Sequence, residues 1–196
     1  MLKLLASTLC AVIFTSACTV QNLSEKTTLA ANEGVLVTTV HCSRNINWFE
    51  FYETGKVLND LNHMFISKEG SSGCSNAESE LKMIKVREGS YYIGVVGGGQ
   101  SSGTIPEKES VSFQIEAGKA NYIGDLQIVS SKPVDTGLNA TTVYFSFRVV
   151  DAAEQTKAAL NSEYPWLLTK YEFVTLLANS PSGQANSAIS SSKGVP

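Results

Sequence analysis

The feature that most constrains the fold of this chain of 196 residues is an alternation of apolar and polar side chains with a period of two. Between positions 142 and 149, Val143, Phe145, Phe147 and Val149 alternate with threonine, tyrosine, serine and arginine. Successive side chains of a strand point to opposite faces, so a segment of this kind buries one face and exposes the other. The repeated pattern predicts a mainly β protein, an antiparallel β-sandwich of about seven to eight strands.

Glycine-containing turns separate the predicted strands. The strands are expected at 34–40, 48–52, 81–86, 91–96, 111–115, 121–129 and 142–149. In the third of them Lys82, Lys85 and Arg87 alternate with apolar residues, which predicts a half-buried strand with a cationic outer face. Gly89 and Gly118 stand where a hairpin requires a positive φ, and Gly124 inside a strand indicates a bulge or a close approach.

One short α-helix is expected after the last long strand. Asp151, followed by a glutamate three residues later, resembles a capping box, and 152–160 is rich in helix formers. Pro165 is expected to end this helix. Residues 170–177 fit either a final strand or a second helix, and the β-branched and aromatic run Phe173-Val174-Thr175 favours the strand.

The first residues are typical of an export signal. Lys3 precedes an apolar stretch at 4–14 that as a helix reaches roughly 17 Å, well short of the roughly 30 Å hydrocarbon core of a bilayer. The following Thr15-Ser16-Ala17-Cys18 resembles the lipobox of bacterial lipoproteins. The resemblance implies cleavage before Cys18, acylation of Cys18 and, since threonine follows it, an outer-membrane location facing the periplasm. Ordinary signal-peptidase cleavage after Ala17 is the alternative.

The four cysteines then divide into three groups. Cys10 is removed with the signal, Cys18 carries lipid, and Cys42 and Cys74 remain as a pair in an oxidising compartment, which predicts a disulfide. A metal site made of Cys42, Cys74, His41 and His63 is the competing interpretation. It is disfavoured because the neighbours His41 and Cys42 would point to opposite faces of a strand.

The organisation of the chain follows from composition. Every aromatic residue after Phe14 lies between Trp48 and Phe173, and the C-terminal residues are mostly small and polar, with Lys193 as the one charge after Glu172. We therefore expect a lipoprotein signal peptide at 1–17, a tether at 18–33, the β-sandwich domain at 34–177 and a disordered tail at 178–196.

Several functional classes are disfavoured by what the sequence contains. The net charge of −3 argues against a nucleic-acid partner. The glycine-rich run at 97–103 lacks the lysine and the helix of a phosphate-binding loop, so a surface loop between two strands is expected. No Gly-x-Ser-x-Gly elbow is present. A carboxylate pair could form among Glu50, Glu53 and Asp60, but the sequence does not give the distances between these side chains. We expect no catalytic residue, no metal, no cofactor and no enzymatic activity.

Two segments carry a family resemblance. Residues 86–93 (VREGSYYI) and 113–126 (FQIEAGKANYIGDL), with Tyr164-Pro165 further on, resemble a group of bacterial envelope lipoproteins of unknown function. The same arrangement is similar to the prealbumin-like β-sandwiches of carboxypeptidase regulatory-like domains. The resemblance covers about 80–151 and implies a fold and a location in the cell envelope, but no catalytic motif.

Two functions are compatible with these features. The first is a structural or accessory envelope lipoprotein that docks onto another envelope component, and an exposed apolar strand would favour it. The second is a periplasmic module that binds a small molecule or a glycan. Its possible binding surface is Trp48, Tyr91, Tyr92 and Trp166, and a concave pocket lined by these aromatics would favour it. An enzyme would instead need His41 or His63 in a cleft beside a carboxylate.

Overall fold

The computed structural model describes residues 23–59, 67–74, 79–98, 101–130, 132–137, 140–181 and 187–192. Over these residues the protein is mainly β, with two sheets and two α-helices. In chain order the elements are β1 (Glu33–His41), β2 (Trp48–Glu53), β3 (Gly70–Gly73), β4 (Ser79–Arg87), β5 (Gly89–Gly98), β6 (Ser101–Thr104), β7 (Ser112–Ile115), β8 (Lys119–Tyr122), β9 (Asp125–Ser130), β10 (Val134–Gly137), β11 (Ala140–Val150), α1 (Ala153–Glu163), α2 (Pro165–Lys170), β12 (Glu172–Thr175) and β13 (Ser187–Ser192).

Strand β1 is the centre of the first sheet. The sheet runs in the order β10-β11-β9-β1-β8-β12, with β4 also paired to β1 and β13 to β11. The second sheet runs β3-β2-β5-β6, and β7 pairs with β5. The pairings β1–β8, β1–β9 and β8–β12 are parallel, so the expected purely antiparallel arrangement is wrong for the first sheet. Alternation reports which face a residue occupies, and it does not report the direction of the neighbouring strand.

The main core lies between the two sheets. Leu36, Val40 and Leu126 of the first sheet pack there with Phe49, Phe51 and other residues of the second, all of them almost fully buried. In β5, Tyr91 and Ile93 face this core, but Val96 faces it too. An irregularity in the β2–β5 register, where Glu50 pairs with Val95 and Phe51 with Ile93, accounts for that change of parity.

The glycine turns connect the two sheets to each other. Gly89 has φ +152° and Gly118 has φ +68°, so the positive φ expected at both positions is confirmed. However, Gly89 joins β4 of the first sheet to β5 of the second, and Gly118 joins β7 of the second to β8 of the first. Both turns are corners at which the chain changes sheets, and the expectation of hairpins is wrong there.

Gly124 interrupts what the sequence predicts as one strand at 121–129. Its φ is +95°, and a Cβ at this position would lie 2.5 Å from Cγ1 of Val149. Its carbonyl accepts a hydrogen bond of 2.7 Å from the buried hydroxyl of Thr38. The chain therefore divides into β8 and β9, which both lie along β1, as the close approach expected of this glycine requires.

The glycine-rich run 97–103 is mostly strand. The described residues of this run belong to β5 and β6, which pair as an antiparallel hairpin, so the expected loop is shorter than the run. A Cβ at Gly97 would lie 2.1 Å from Cζ2 of Trp48, and one at Gly98 would lie 1.9 Å from the carbonyl oxygen of Asn45. These glycines let other parts of the chain pack against the strand.

Two helices, rather than the single one expected, cover part of the first sheet. The backbone N–H of Ala153 donates to the Asp151 carboxylate at 3.1 Å, and α1 ends at Glu163. This helix ends before Pro165, as expected, and Pro165 also occupies the first turn of α2, where a missing N–H costs nothing. The strand favoured for the following residues is confirmed as β12.

The helices form a second core on the outer face of the first sheet. Leu160 and Leu167 pack against Val35, Met83 and Tyr122, and the strand residues of this core come from β1, β4, β8 and β12. The single cationic face predicted for β4 is wrong for Lys82, which lies on the same side of the strand as Ile84 and Val86 of the main core. Lys82 is buried and pairs with Glu80 at 2.6 Å, whereas Lys85 and Arg87 are exposed as expected.

Folded structure begins before the predicted domain limit. Leu23 and Leu29 pack against the core beneath the helices, and the N–H of Leu23 donates to the carbonyl of Met83 at 3.0 Å. The part of the expected tether 18–33 that the structure describes therefore lies on the domain. The expected signal peptide 1–17 and Cys18 lie outside the described residues.

Folded structure also continues past the predicted C-terminal limit. Ala178 is buried, and Asn179 and Ser112 exchange backbone hydrogen bonds of 3.0 and 2.8 Å. Strand β13 lies within the segment 178–196, which we expected to be disordered, and it pairs with β11. A backbone ladder needs no apolar side chain, which is why composition gave no sign of this strand.

Candidate functional site

The predicted disulfide is present. Cys42 follows β1 and Cys74 follows β3, with an S–S distance of 2.11 Å and a Cα–Cα distance of 6.1 Å. Since β1 belongs to the first sheet and β3 to the second, the bridge fastens the two sheets to each other. Both thiols are consumed in it, and His63 lies outside the described residues. In the described part of the chain, no group of three histidine, cysteine, aspartate or glutamate residues is placed to hold a metal.

The four aromatics of the possible binding surface lie in three different layers. Tyr91 is buried between the sheets, where its ring stacks on Phe113, and its hydroxyl donates to the carbonyl of Arg87 at 2.7 Å. Tyr92 and Trp48 lie together on the outer face of the second sheet. Trp166 lies among the helices on the far side of the first sheet. The structure therefore does not bring these four side chains into one surface.

A hollow of about 390 Å³ lies along β5 and β7. Tyr91, Phe113, Leu177, Glu107 and Asn179 are among its lining residues. Its volume is within the range of small-molecule pockets. Several of its polar groups are already used by the fold, since the Glu107 carboxylate accepts from the N–H of Gly55 at 2.9 Å and the Tyr91 hydroxyl is bonded.

One histidine stands beside a carboxylate. Nε2 of His41, at the end of β1, is 3.6 Å from Oδ2 of Asp125. The other oxygen of Asp125 accepts a hydrogen bond of 2.9 Å from Tyr122, whose hydroxyl in turn accepts the N–H of Ala152 at 3.0 Å. This chain of bonds ties the β8–β9 junction to the start of α1. Tyr122 is therefore a buried aromatic with a bonded hydroxyl, and Asp125 accepts from it and faces His41.

Two of the three acidic residues that could have formed a carboxylate pair have a cation beside them. Glu50 forms an ion pair with Lys68, and it also accepts a hydrogen bond of 2.8 Å from the Tyr52 hydroxyl. Glu53 lies 3.8 Å from Nζ of Lys56. Asp60 lies outside the described residues. For Glu50 and Glu53 these contacts are those of structural surface charges.

The part of the first sheet that the helices do not cover presents an apolar surface. Val129, Val134 and Tyr144 are 52, 46 and 42% exposed, although all three lie in strands. Val129 pairs with Ser146 in the β9–β11 ladder, and Val134 pairs with Thr142 in the β10–β11 ladder. Since directly opposed residues share a face, and so do residues two apart in one strand, Val129, Val134 and Tyr144 lie on the same face of the sheet.

We call this surface the open face and define it by Val129, Val134, Tyr144, Ser146 and Arg148. Arg148 lies in β11 opposite Gln127 of β9, at one end of the open face. Its side chain is exposed and has no ion-pair partner among the described residues. Sequence reasoning identified the alternation at 142–149 but did not select these residues. The sequence did contain one indication of this surface. Tyr144 and Arg148 stand at polar positions of that alternation, and tyrosine and arginine are enriched in protein interfaces.

Comparisons with known proteins identify no relative: no family model, curated protein or solved structure matches the chain. The resemblances stated for 80–151 therefore stay predictions. Within the described ranges, no helix has the length and apolar character needed to cross a membrane.

The buried tyrosines predict a loss of stability at alkaline pH. Burial raises the pKa of Tyr91, Tyr92 and Tyr122 to about 12 each. Because folding disfavours their ionisation, the stability this confers is complete below the pKa of about 10 that tyrosine has in an unfolded chain. We expect the free energy of unfolding to fall as the pH rises from about 10 towards about 12. Urea unfolding at stepped pH checks this, and Tyr122→Phe should show a shallower fall than the parent protein. Equal slopes would contradict it.

Proposed function

We propose that this protein is a non-enzymatic accessory lipoprotein of the bacterial cell envelope. In this proposal a β-sandwich domain with the prealbumin-like character implied by 80–151 is held by lipid on Cys18 at the outer membrane, facing the periplasm. The domain docks another envelope protein through the open face. The observation that carries the proposal is the exposure of Val129, Val134 and Tyr144 on one face of a regular sheet.

The composition of the open face suits a protein partner. Isolated exposed apolar residues are ordinary, whereas a contiguous group of them on a flat element is typical of an interaction site. Tyr144 lies between the two valines and can give a large contact area at a low entropic cost. Arg148 adds a donor for a carboxylate at the edge. The partner surface is therefore expected to combine an apolar centre with an acidic rim.

The anchor follows from the resemblance of 15–18 to a lipobox. Each buried methylene of an acyl chain contributes roughly 0.8 kcal/mol, so several acyl chains on Cys18 hold the domain stably at a bilayer. The disulfide between Cys42 and Cys74 suits an oxidising compartment outside the cytoplasm. Mass spectrometry of the mature N-terminus tests the anchor, and an unmodified Cys18 would refute it.

The second candidate function is binding of a small molecule or a glycan in the hollow beside Tyr91. The volume of about 390 Å³ favours it. The internal hydrogen bonds of Tyr91 and Glu107 count against it, because a ligand would compete with contacts the fold already makes. Leu177, which is 43% exposed and lines the hollow, provides a position at which the two candidates can be separated.

Photocrosslinking in intact cells tests the docking proposal. A photoreactive amino acid at Val129 is expected to give a discrete protein adduct. The same amino acid at Val57, which is 79% exposed in the segment after β2, is expected to give none. Tyr144→Ala should weaken the Val129 adduct, since truncating a central interface tyrosine costs about 2 kcal/mol, about thirtyfold in Kd.

Three outcomes would contradict docking at the open face. They are no adduct from Val129, the same adduct pattern from Val57 and Val129, or an adduct from Val129 that Tyr144→Ala leaves unchanged. An adduct of Leu177 alone with a small molecule or a glycan would favour the hollow as the site. Circular dichroism of each variant verifies that it is folded.

A further inference from the structure

The segment that leads to the anchor is fixed to the domain from Leu23 onward. The N–H of Leu23 donates to the Met83 carbonyl at 3.0 Å, at the edge of β4. Nζ of Lys170, in α2, donates to the carbonyl of Glu25. Leu23 and Leu29 pack into the same core as α2. The start of the described chain is therefore held at one corner of the domain, between the β4 edge and α2.

Few residues separate this corner from the lipidated position. Cys18 precedes Leu23 by five residues in the sequence. Because each residue extends a chain by at most about 3.6 Å, the two Cα atoms can lie no more than about 18 Å apart. The tether expected from composition, 16 residues long at 18–33, would let the domain stand well away from the membrane, whereas five residues cannot.

The exposed surface of this corner has the composition of a membrane–water interface. Trp166 is half-buried in α2, and Nζ of Lys170 lies 5.6 Å from the centre of its ring. Pro165 and Lys170 are exposed, and Leu168 is half-buried. Tryptophan is enriched at the level of lipid headgroups, and lysine extends its ammonium group into water from such positions.

We infer that the α2 corner of the domain, with Trp166 and Lys170, rests on the bilayer surface that holds the lipid on Cys18. This inference rests on the anchor of the proposed function. β4 lies on one side of β1, and the strands that carry the open face, β9 to β11, lie on the other, so the β4 edge that binds Leu23 is not part of the open face.

The two tryptophans of the chain provide the test and its control. Trp166 is at the α2 corner, and Trp48 is on the outer face of the second sheet. The full lipidated protein is reconstituted into phosphatidylethanolamine–phosphatidylglycerol vesicles that contain headgroup-region spin-labelled lipid. Trp48→Phe leaves only Trp166 emission, and Trp166→Phe leaves only Trp48 emission. We expect the label to quench most of the Trp166 emission and little of the Trp48 emission.

The outcomes separate this inference from the anchor it depends on. Failure of the protein to co-float with vesicles defeats both. Co-flotation without quenching of Trp166, or with equal quenching of the two tryptophans, overturns only the inferred orientation.

A further variant carries a flexible twelve-residue Gly/Ser insertion after Gln21. It should still co-float and lose most of the Trp166 quenching, because the short connection is what holds the corner down. Unchanged quenching would overturn this argument.

Discussion

Replacing Cys42 and Cys74 together by alanine is expected to lower the free energy of unfolding by about 3 to 4 kcal/mol. The two cysteines are 32 residues apart, and without the bridge the unfolded chain regains the freedom that the closed loop removes. The bridge also joins the end of β1 to the end of β3, so its loss removes a covalent link between the two sheets. Urea unfolding, followed by circular dichroism, measures the change.

Two controls accompany the cysteine variant. Reduction of the parent protein should lower the free energy of unfolding by a similar amount, because it opens the same loop without any substitution. Cys18→Ala, which leaves the bridge intact, should unfold at the same urea concentration as the parent protein. An unchanged midpoint for the double variant would show that the bridge does not contribute to stability.

Leu167→Ala is expected to cost about 2 to 5 kcal/mol of folding free energy. Leu167 is fully buried and packs with Leu160 and Tyr122 between the helices and the first sheet. Its truncation leaves a cavity in the only core that holds α1 and α2 on the sheet within the described residues. Thermal and urea unfolding measure the loss.

The matched control for Leu167 is the same substitution at an exposed leucine. Leu177 is 43% exposed, so Leu177→Ala is expected to cost roughly 1 kcal/mol or less. If the two variants lose equal stability, the helices are not packed as described. The α2 variant should also lose Trp166 quenching on vesicles, since Leu167 holds the helix that carries Trp166.

Local pattern was sufficient for the strands that have one buried face and one polar face. The alternation at 142–149 predicted the buried and exposed sides of β11, where Phe145 is buried and Tyr144 is exposed. The bridge between Cys42 and Cys74 was predicted from the expected export of the chain, and it is present. Pro165 follows the end of α1, as predicted, but it also begins α2, and the sequence pattern did not indicate that second helix.

Composition was a poor guide to the two ends of the domain. Residues near Leu23 and those of β13 are polar and small, yet backbone hydrogen bonds place both segments on the first sheet. Backbone groups are the same in every residue, so a strand that adds to an existing edge leaves little trace in the sequence.

The candidate site was not predictable in the same way. Tyr91 and Tyr92 were predicted to form part of a binding surface because aromatic residues are common in binding sites. Both side chains are instead buried in hydrophobic clusters. Tyr144 and Val129 were not chosen, because a side chain on the outer face of a strand is available only if nothing covers it.

By itself, the sequence determined the mainly β class, the position of the disulfide and the inner face of most strands, because these depend on local alternation and on residue chemistry. The tertiary structure decided which strands run parallel, that Gly89 and Gly118 change sheets, and where the helices lie. Coverage by the helices leaves Val129, Val134 and Tyr144 exposed and places Trp166 in the same core as Leu23. Such coverage depends on contacts between segments far apart in the chain, and no local pattern encodes them.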